Sequence, residues 1–202
     1  MSSRLQVNVT NNTQMPNTFI LFQRDSYGGS SQVFSTVWLS QRLYPNSQGQ
    51  FQWEQVYNFV SGNTGQLMPG VQFRPNEMIK TDPNTNNAIQ FGNNGGGIGF
   101  SNPRSISGGH FMINADASVP PQGQYSVGMG MSNSPALITT ARPNMNYPFS
   151  PNTEYWIAVG NYQLGEVLDP YLQNAGRIAF PNGVTKMNVV LNMNNVFTIT
   201  PA

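Results

Sequence analysis

Leu5-Gln6-Val7-Asn8-Val9-Thr10 decides how the rest of the chain is read. Apolar and polar residues alternate strictly. A period of two puts Leu5, Val7 and Val9 on one face of an extended strand and the amides on the other, whereas a helical period would split them between faces. The same alternation returns at Phe51 and Trp53, at Tyr125, Val127 and Met129, at Tyr155, Ile157 and Val159, and at Val189, Leu191 and Met193. Turn formers separate these runs: Tyr27-Gly28-Gly29-Ser30, Pro45-Asn46-Ser47, Ser61-Gly62-Asn63-Thr64-Gly65, Met68-Pro69-Gly70, Asp82-Pro83-Asn84 and Pro181-Asn182-Gly183. Helical periodicity is weak, and Pro75 to Lys80 and Asp169 to Asn174 are expected to form single turns only. The fold predicted is all-β: one domain over residues 1–202, a mainly antiparallel β-sandwich with long Gly- and Pro-rich loops.

Two stretches break the rhythm. Asn93 to Gly99 holds a glycine run, and Asn102-Pro103-Arg104-Ser105 with Ser107-Gly108-Gly109 continues the loop-like composition to His110. Glycine runs cradle phosphate when they open a helix, but no Lys-Ser/Thr and no helix pattern follow, so a hairpin loop or bulge is expected. Asn133 to Pro151, with Pro135, Pro143, Pro148 and Pro151, reads as a long ordered surface connection.

Charge is the compositional signal. Of 202 residues only 8% are charged, nine basic and eight acidic, for a net charge of +1; ordinary domains carry about 25%. Little electrostatic repulsion holds copies apart. Strand edges are normally guarded by charge, lysine above all, and the chain has two lysines, Lys80 and Lys186. The expected partner is therefore the chain itself, in a non-catalytic self-assembling role. Leu5, Gln6, Val7, Asn8 and Val9 form the candidate assembly strand, which either completes its own sheet or extends a neighbour's.

Catalysis finds little support. His110 is the sole histidine and has no nucleophile or acid near it in sequence, so it reads as a residue at a strand end. Glu154, Glu166 and Asp169 are the nearest approach to a carboxylate pair, and Gly165-Glu-Val-Leu-Asp-Pro170 reads first as a capped turn. With no cysteine there is no disulfide, thiol chemistry or cysteine-ligated zinc. Asp25, Asp82 and Asp116 lie where a loop calcium would bind only weakly, and no cofactor is expected. Nine scattered basic residues form no stripe for nucleic acid, and no amphipathic helix or long apolar run addresses a membrane. The start of the chain shows no secretory signal, so a cytoplasmic location is expected, with unconventional release left open. The sequons at Asn8 and Asn11 read as accidents of an Asn/Thr-rich segment.

A lectin-like role is the alternative. Aromatic rings with abundant Asn and Gln amides are suited to stacking on a sugar and bonding its hydroxyls. Trp38, Tyr44 and Tyr147 are the candidate stacking residues, while Trp53 and Trp156, inside alternating runs, read as buried scaffold.

Four segments carry a family resemblance: Phe51-Gln-Trp-Glu-Gln-Val-Tyr-Asn-Phe-Val60; Thr64-Gly-Gln-Leu-Met-Pro-Gly-Val-Gln-Phe73; Glu154-Tyr-Trp-Ile-Ala-Val-Gly-Asn-Tyr162 with Gly165-Glu-Val-Leu-Asp169; and Phe180-Pro-Asn-Gly-Val through Leu191-Asn192. Together they resemble the RhiA family, named for a rhizosphere-expressed bacterial protein. The resemblance runs from Leu5 to the C-terminus, and its most specific piece is Tyr155-Trp156 followed by Gly165 to Asp169. It implies an abundant, soluble bacterial protein without a signal and with no established catalytic residues, so no active site is carried over.

Overall fold

The computed structural model describes residues 4–25 and 33–202; the turn expected at Tyr27 to Ser30 lies outside them. The described residues form strands and turns without a helix. The first sheet has the order β17 (Phe197–Pro201), β16 (Lys186–Leu191), β1 (Arg4–Asn11), β5 (Ser47–Glu54). The second runs β15 (Gly176–Ile178), β14 (Glu154–Val159), β2 (Asn17–Arg24), β4 (Leu39–Leu43). The third runs β3 (Phe34–Ser35), β12 (Ser134–Thr140), β11 (Tyr125–Met131), β6 (Tyr57–Asn63), β7 (Glu77–Thr81), and the fourth β13 (Met145–Phe149), β10 (Phe111–Ala115), β8 (Ala88–Asn93), β9 (Ile98–Arg104). The chain is all-β and mainly antiparallel; only β1 with β16 and β8 with β10 pair in parallel among these strands.

The sheets pack face to face in two pairs. Between the first and second sheets lies one core, with Val7, Val9, Trp53, Tyr155, Ile157, Val189 and Leu191 at its centre. Between the third and fourth lies another, rich in Phe59, Phe91, Phe111, Ile113, Val127 and Phe149. Residues 57–149 supply nearly all of the second pair and are inserted between β5 and β14 of the first. The cores are stitched together: Tyr57 packs against both, and Met131 and Ala136, from the third sheet, belong to the first core. Trp38 adds a bond across the seam, its Nε1 donating to the Met131 carbonyl at 2.8 Å.

Several expectations are corrected by the same rule: a tertiary partner overrides local composition. Pro75 to Lys80 is no helical turn, because Met78 and Ile79 align with Val60 and Phe59 to make β7. Asp169 to Asn174, by contrast, holds a single turn as expected, closed locally by the Leu172 amide donating to the Asp169 carbonyl at 3.1 Å. Ser61-Gly62-Asn63 continues β6, and Asn102-Pro103-Arg104 ends β9. Asn133 to Pro151 is not a connection but holds β12 and β13. Its prolines disguise it. Pro135 sits beside a register shift between Met129 and Gly130, and Pro148 lies on the edge strand β13, the two settings in which a strand tolerates a missing N–H. The register is tight at Gly128, where an added Cβ would collide with the Leu137 carbonyl oxygen.

Candidate interaction surface

β1 is an interior strand. It pairs in parallel with β16 from Gln6 to Asn11 and antiparallel with β5 along its whole length, so the candidate assembly strand has no free edge. Leu5, Val7 and Val9 are buried, while Gln6 and Asn8 stand on the outer face. There the amides form a chain across three strands: Arg4 donates to Gln52, Gln52 Nε2 to Gln6 Oε1 at 3.1 Å, Gln6 Nε2 to Asn8 Oδ1 at 2.7 Å, and Asn8 Nδ2 to Asn188 Oδ1 at 2.9 Å. Beside it runs a trough of about 670 Å³ bordered by Asn8, Thr10, Gln48, Asn188 and Thr200.

The free edges lie elsewhere, and most are blunted. β7 carries Lys80, β4 carries Arg42, and β15 is three residues long with Arg177. β9 ends in Pro103 and Arg104 with Asn102 at φ 50°, β13 holds Pro148, and β3 has two residues. β5 is capped in part by side chains: the Gln50 amide donates to Gln41 Oε1 at 3.2 Å, and the Glu54 amide to Ser132 Oγ at 3.1 Å. β17 differs. It has no charged residue, and its one guard, Pro201, is its last position. At the ends of its ladder with β16, the Ala202 amide donates to the Lys186 carbonyl and the Asn192 amide to the Val196 carbonyl. Antiparallel bonding alternates, so Thr198 and Thr200 exchange bonds with β16. The amides of Phe197 and Ile199, and the carbonyls of Phe197, Ile199 and Pro201, point away from it. Phe197 and Ile199 turn their side chains into the sandwich and pack on the first core. They come so close to β15 that a Cβ on Gly176 would meet Ile199 Cδ1 at 2.8 Å.

At one end of the first sandwich three turns converge, at residues 12–16, 44–46 and 192–196. Asn11, with 0% exposure, ties the first two together. Its Nδ2 lies 2.9 Å from the Met15 carbonyl, 3.1 Å from that of Leu43 and 3.2 Å from that of Tyr44. Its Oδ1 accepts from the Thr13 amide at 3.2 Å and the Thr13 hydroxyl at 2.8 Å. Its carbonyl accepts from the Asn46 amide, and the next amide, Asn12, reaches the Leu191 carbonyl. The three turns carry no charge, and at their tips Met15 (70%), Tyr44 (66%), Met193 (70%) and Val196 (55%) are exposed. Met193, expected to continue a strand, is therefore a turn residue. Nothing in the sequence marks Asn11 except its place in a polar run, where it reads as an incidental sequon.

The candidate stacking residues are not brought together. Trp38 is fully buried, edge-on to Trp53 with ring centroids 5.2 Å apart. Tyr147 is buried in the other core, where its hydroxyl accepts from the Arg142 amide at 2.7 Å and donates to the Thr140 carbonyl at 3.1 Å. Both rings are scaffold, because each has its polar atom committed to a backbone partner and its faces to neighbours. Tyr44 alone of the three is exposed. Trp53 is buried as expected, but Trp156 is only half-buried: it lies between Tyr155 and Ile157, so the alternation turns it outward, where the Arg24 guanidinium covers its ring at 4.2 Å.

The titratable residues considered for catalysis are engaged locally. Glu154 pairs with Arg177 at 3.0 Å and accepts from Trp156 Nε1 at 3.1 Å. Glu166 accepts from the Gln163 amide and Asp169 from the Tyr171 amide. The His110 carbonyl accepts from Asn87 Nδ2. Among the described residues no group of three or more His, Asp or Glu is placed to hold a metal ion.

Comparison with known proteins adds a relationship over the whole chain. The profile of the family described as RhiA matches residues 2–202. A curated relative, Protein RhiA of Rhizobium leguminosarum bv. viciae, is 33% identical over 197 residues, covering 95% of this chain and 84% of the relative. No solved structure matches the chain.

Proposed function

The chain belongs to the RhiA family, and from that premise we propose that it works by association rather than catalysis, as a self-associating structural protein. The observation that carries this reading is β17, a five-residue uncharged edge with outward donors and acceptors, where the other long edges among the described residues are charged, capped or interrupted. Unguarded edges template further strands. The contact so made is apolar and backbone in character, so it tolerates salt, which screens only exposed charges. Sedimentation velocity at tens of micromolar, at low and high salt, tests it. Assemblies that persist or grow as salt rises are expected; a monomer at both salts, or an assembly that dissolves with salt, refutes the reading.

A lectin-like reading keeps one specific support, the exposed ring of Tyr44 on a turn that Asn11 holds rigid. A glycan array with the parent and Tyr44→Ala examines it: binding that disappears in the variant favours it, and binding equal in both removes it.

A further inference from the structure

Resting on the reading of the chain as self-associating, we infer that β17 pairs antiparallel with β17 of a second copy, about a two-fold axis through Ile199, and that the product is a closed dimer. Hydrogen-bond valence fixes the register. With Ile199 opposite Ile199, these two residues exchange both bonds, and each Phe197 amide meets the Pro201 carbonyl of the other copy. Every outward donor of β17 is used, because Pro201, which has no N–H, falls opposite Phe197 and leaves only the Phe197 carbonyl unpaired. A register centred on Thr198 overlaps only Phe197 to Ile199, whereas the Ile199 register overlaps the whole strand.

The side chains suit the same pairing. On the inner face Ile199 meets Ile199 and Phe197 meets Pro201, both apolar matches next to the first core. On the outer face Thr198 lies opposite Thr200, and both are exposed in the single chain. No charge of β17 opposes the approach.

The assembly stops at two. An isologous contact consumes the same edge on both copies, and the blunting of the other edges leaves no equivalent site for a third among the described residues. The dimer joins the two first sheets into one continuous sheet, with β5 at both ends and an amide chain on each half of its outer face.

The chain contains no cysteine, so introduced thiols report without background. Thr198→Cys and Thr200→Cys, each alone and mixed in equal amounts, are oxidised with glutathione disulfide and read by non-reducing electrophoresis. The mixture should cross-link, because directly opposed residues of a non-hydrogen-bonded pair stand about 4.5 Å apart at Cα, within disulfide reach. Neither variant alone should, since the diagonal spacing of about 7–8 Å exceeds that reach. Ile199→Pro, which removes the central donors but none of those bonded to β16, should sediment as a monomer with the parent's circular dichroism. Cross-linking of Thr198→Cys alone, an unlinked mixture, an Ile199→Pro chain that still assembles, or a parent larger than a dimer would each overturn this inference and leave self-association standing. A monomeric parent overturns both.

Discussion

Replacing Asn11 by alanine should be the most damaging single-residue change among the polar positions of the first sandwich. The side chain is fully buried and bonds three backbone carbonyls and both polar groups of Thr13. Two amide protons and one carbonyl oxygen make about four bonds at once, each worth roughly 0.5–1.5 kcal/mol net, and the partners abandoned inside the protein add desolvation cost. Water reaches some of them, so a loss of about 3–4 kcal/mol is expected, against less than about 1 kcal/mol for Asn8→Ala, whose amide stands on the outer face where water substitutes for it. Urea denaturation of the parent and both variants measures the difference, provided the m-value is unchanged. Asn11→Asp sharpens the test, because a carboxylate facing three carbonyls has lost its donor. Burial raises its pKa above the unfolded value, so its penalty is greatest at neutral pH and shrinks as pH falls through the folded pKa. If Asn11→Ala unfolds within about 1 kcal/mol of Asn8→Ala, the account of Asn11 as the clamp between the turns at 12–16 and 44–46 is wrong.

Trp53→Ala should cost about 3–5 kcal/mol as a large aromatic deletion from a core, and Trp156→Ala only about 1–2 kcal/mol, mostly its stacking on Phe22 and its contact with Arg24; equal losses in urea denaturation would contradict the half-buried position of Trp156. Burial, with smaller contributions from Tyr155 and Asp82, pushes the Tyr57 phenol up to about 12, and burial also raises Tyr147 and Tyr155. The unfolded chain ionises first, near pH 10, so stability should hold below pH 10 and fall as pH rises through 12. Denaturant midpoints recorded beside tyrosinate absorbance test this, with a smaller fall expected in Tyr57→Phe; a flat profile across that window counts against it. Gly128→Ala should not yield a folded chain, since its Cβ would overlap the Leu137 carbonyl; a parent-like near-ultraviolet dichroism spectrum would show that the ladder can shift.

Alternation was legible wherever a strand had one wet face. Leu5 to Thr10 and Phe51 to Trp53 lie in strands with the apolar set inward, and Tyr155 to Val159 keeps its alternation although its other face also packs, through Ala158 and Trp156, on a smaller cluster. The same rule places Trp156 outside, because it is offset by one position from Tyr155 and Ile157. β12 escaped notice because Pro135 stands at a bulge, and β13 because Pro148 occupies an edge where no N–H is required. The abundance of asparagine has a local cause as well as a surface one: among the described residues, seven of the eight non-glycine residues at positive φ are Asn, the residue type that tolerates that region best after glycine. Edge or interior status was not legible for β1, because its partner β16 lies 180 residues away at Asn8 and Asn188. For the same reason β17, a short Phe-Thr-Ile-Thr alternation, drew no attention beside longer runs.

The parallel pairing of β1 with β16 also sets an order of events during synthesis. Gln6 aligns with Lys186, so β1 leaves the ribosome well before β16 and cannot complete its sheet until the residues between them have followed. The inserted residues 57–149, whose pairings are mostly among themselves, can settle meanwhile. Contacts of such long sequence separation form slowly, and while β1 waits beside β5 its other edge is bare. The edge that is sealed in the finished molecule is thus open on the nascent chain, and a neighbouring chain on the same polysome would meet it there first.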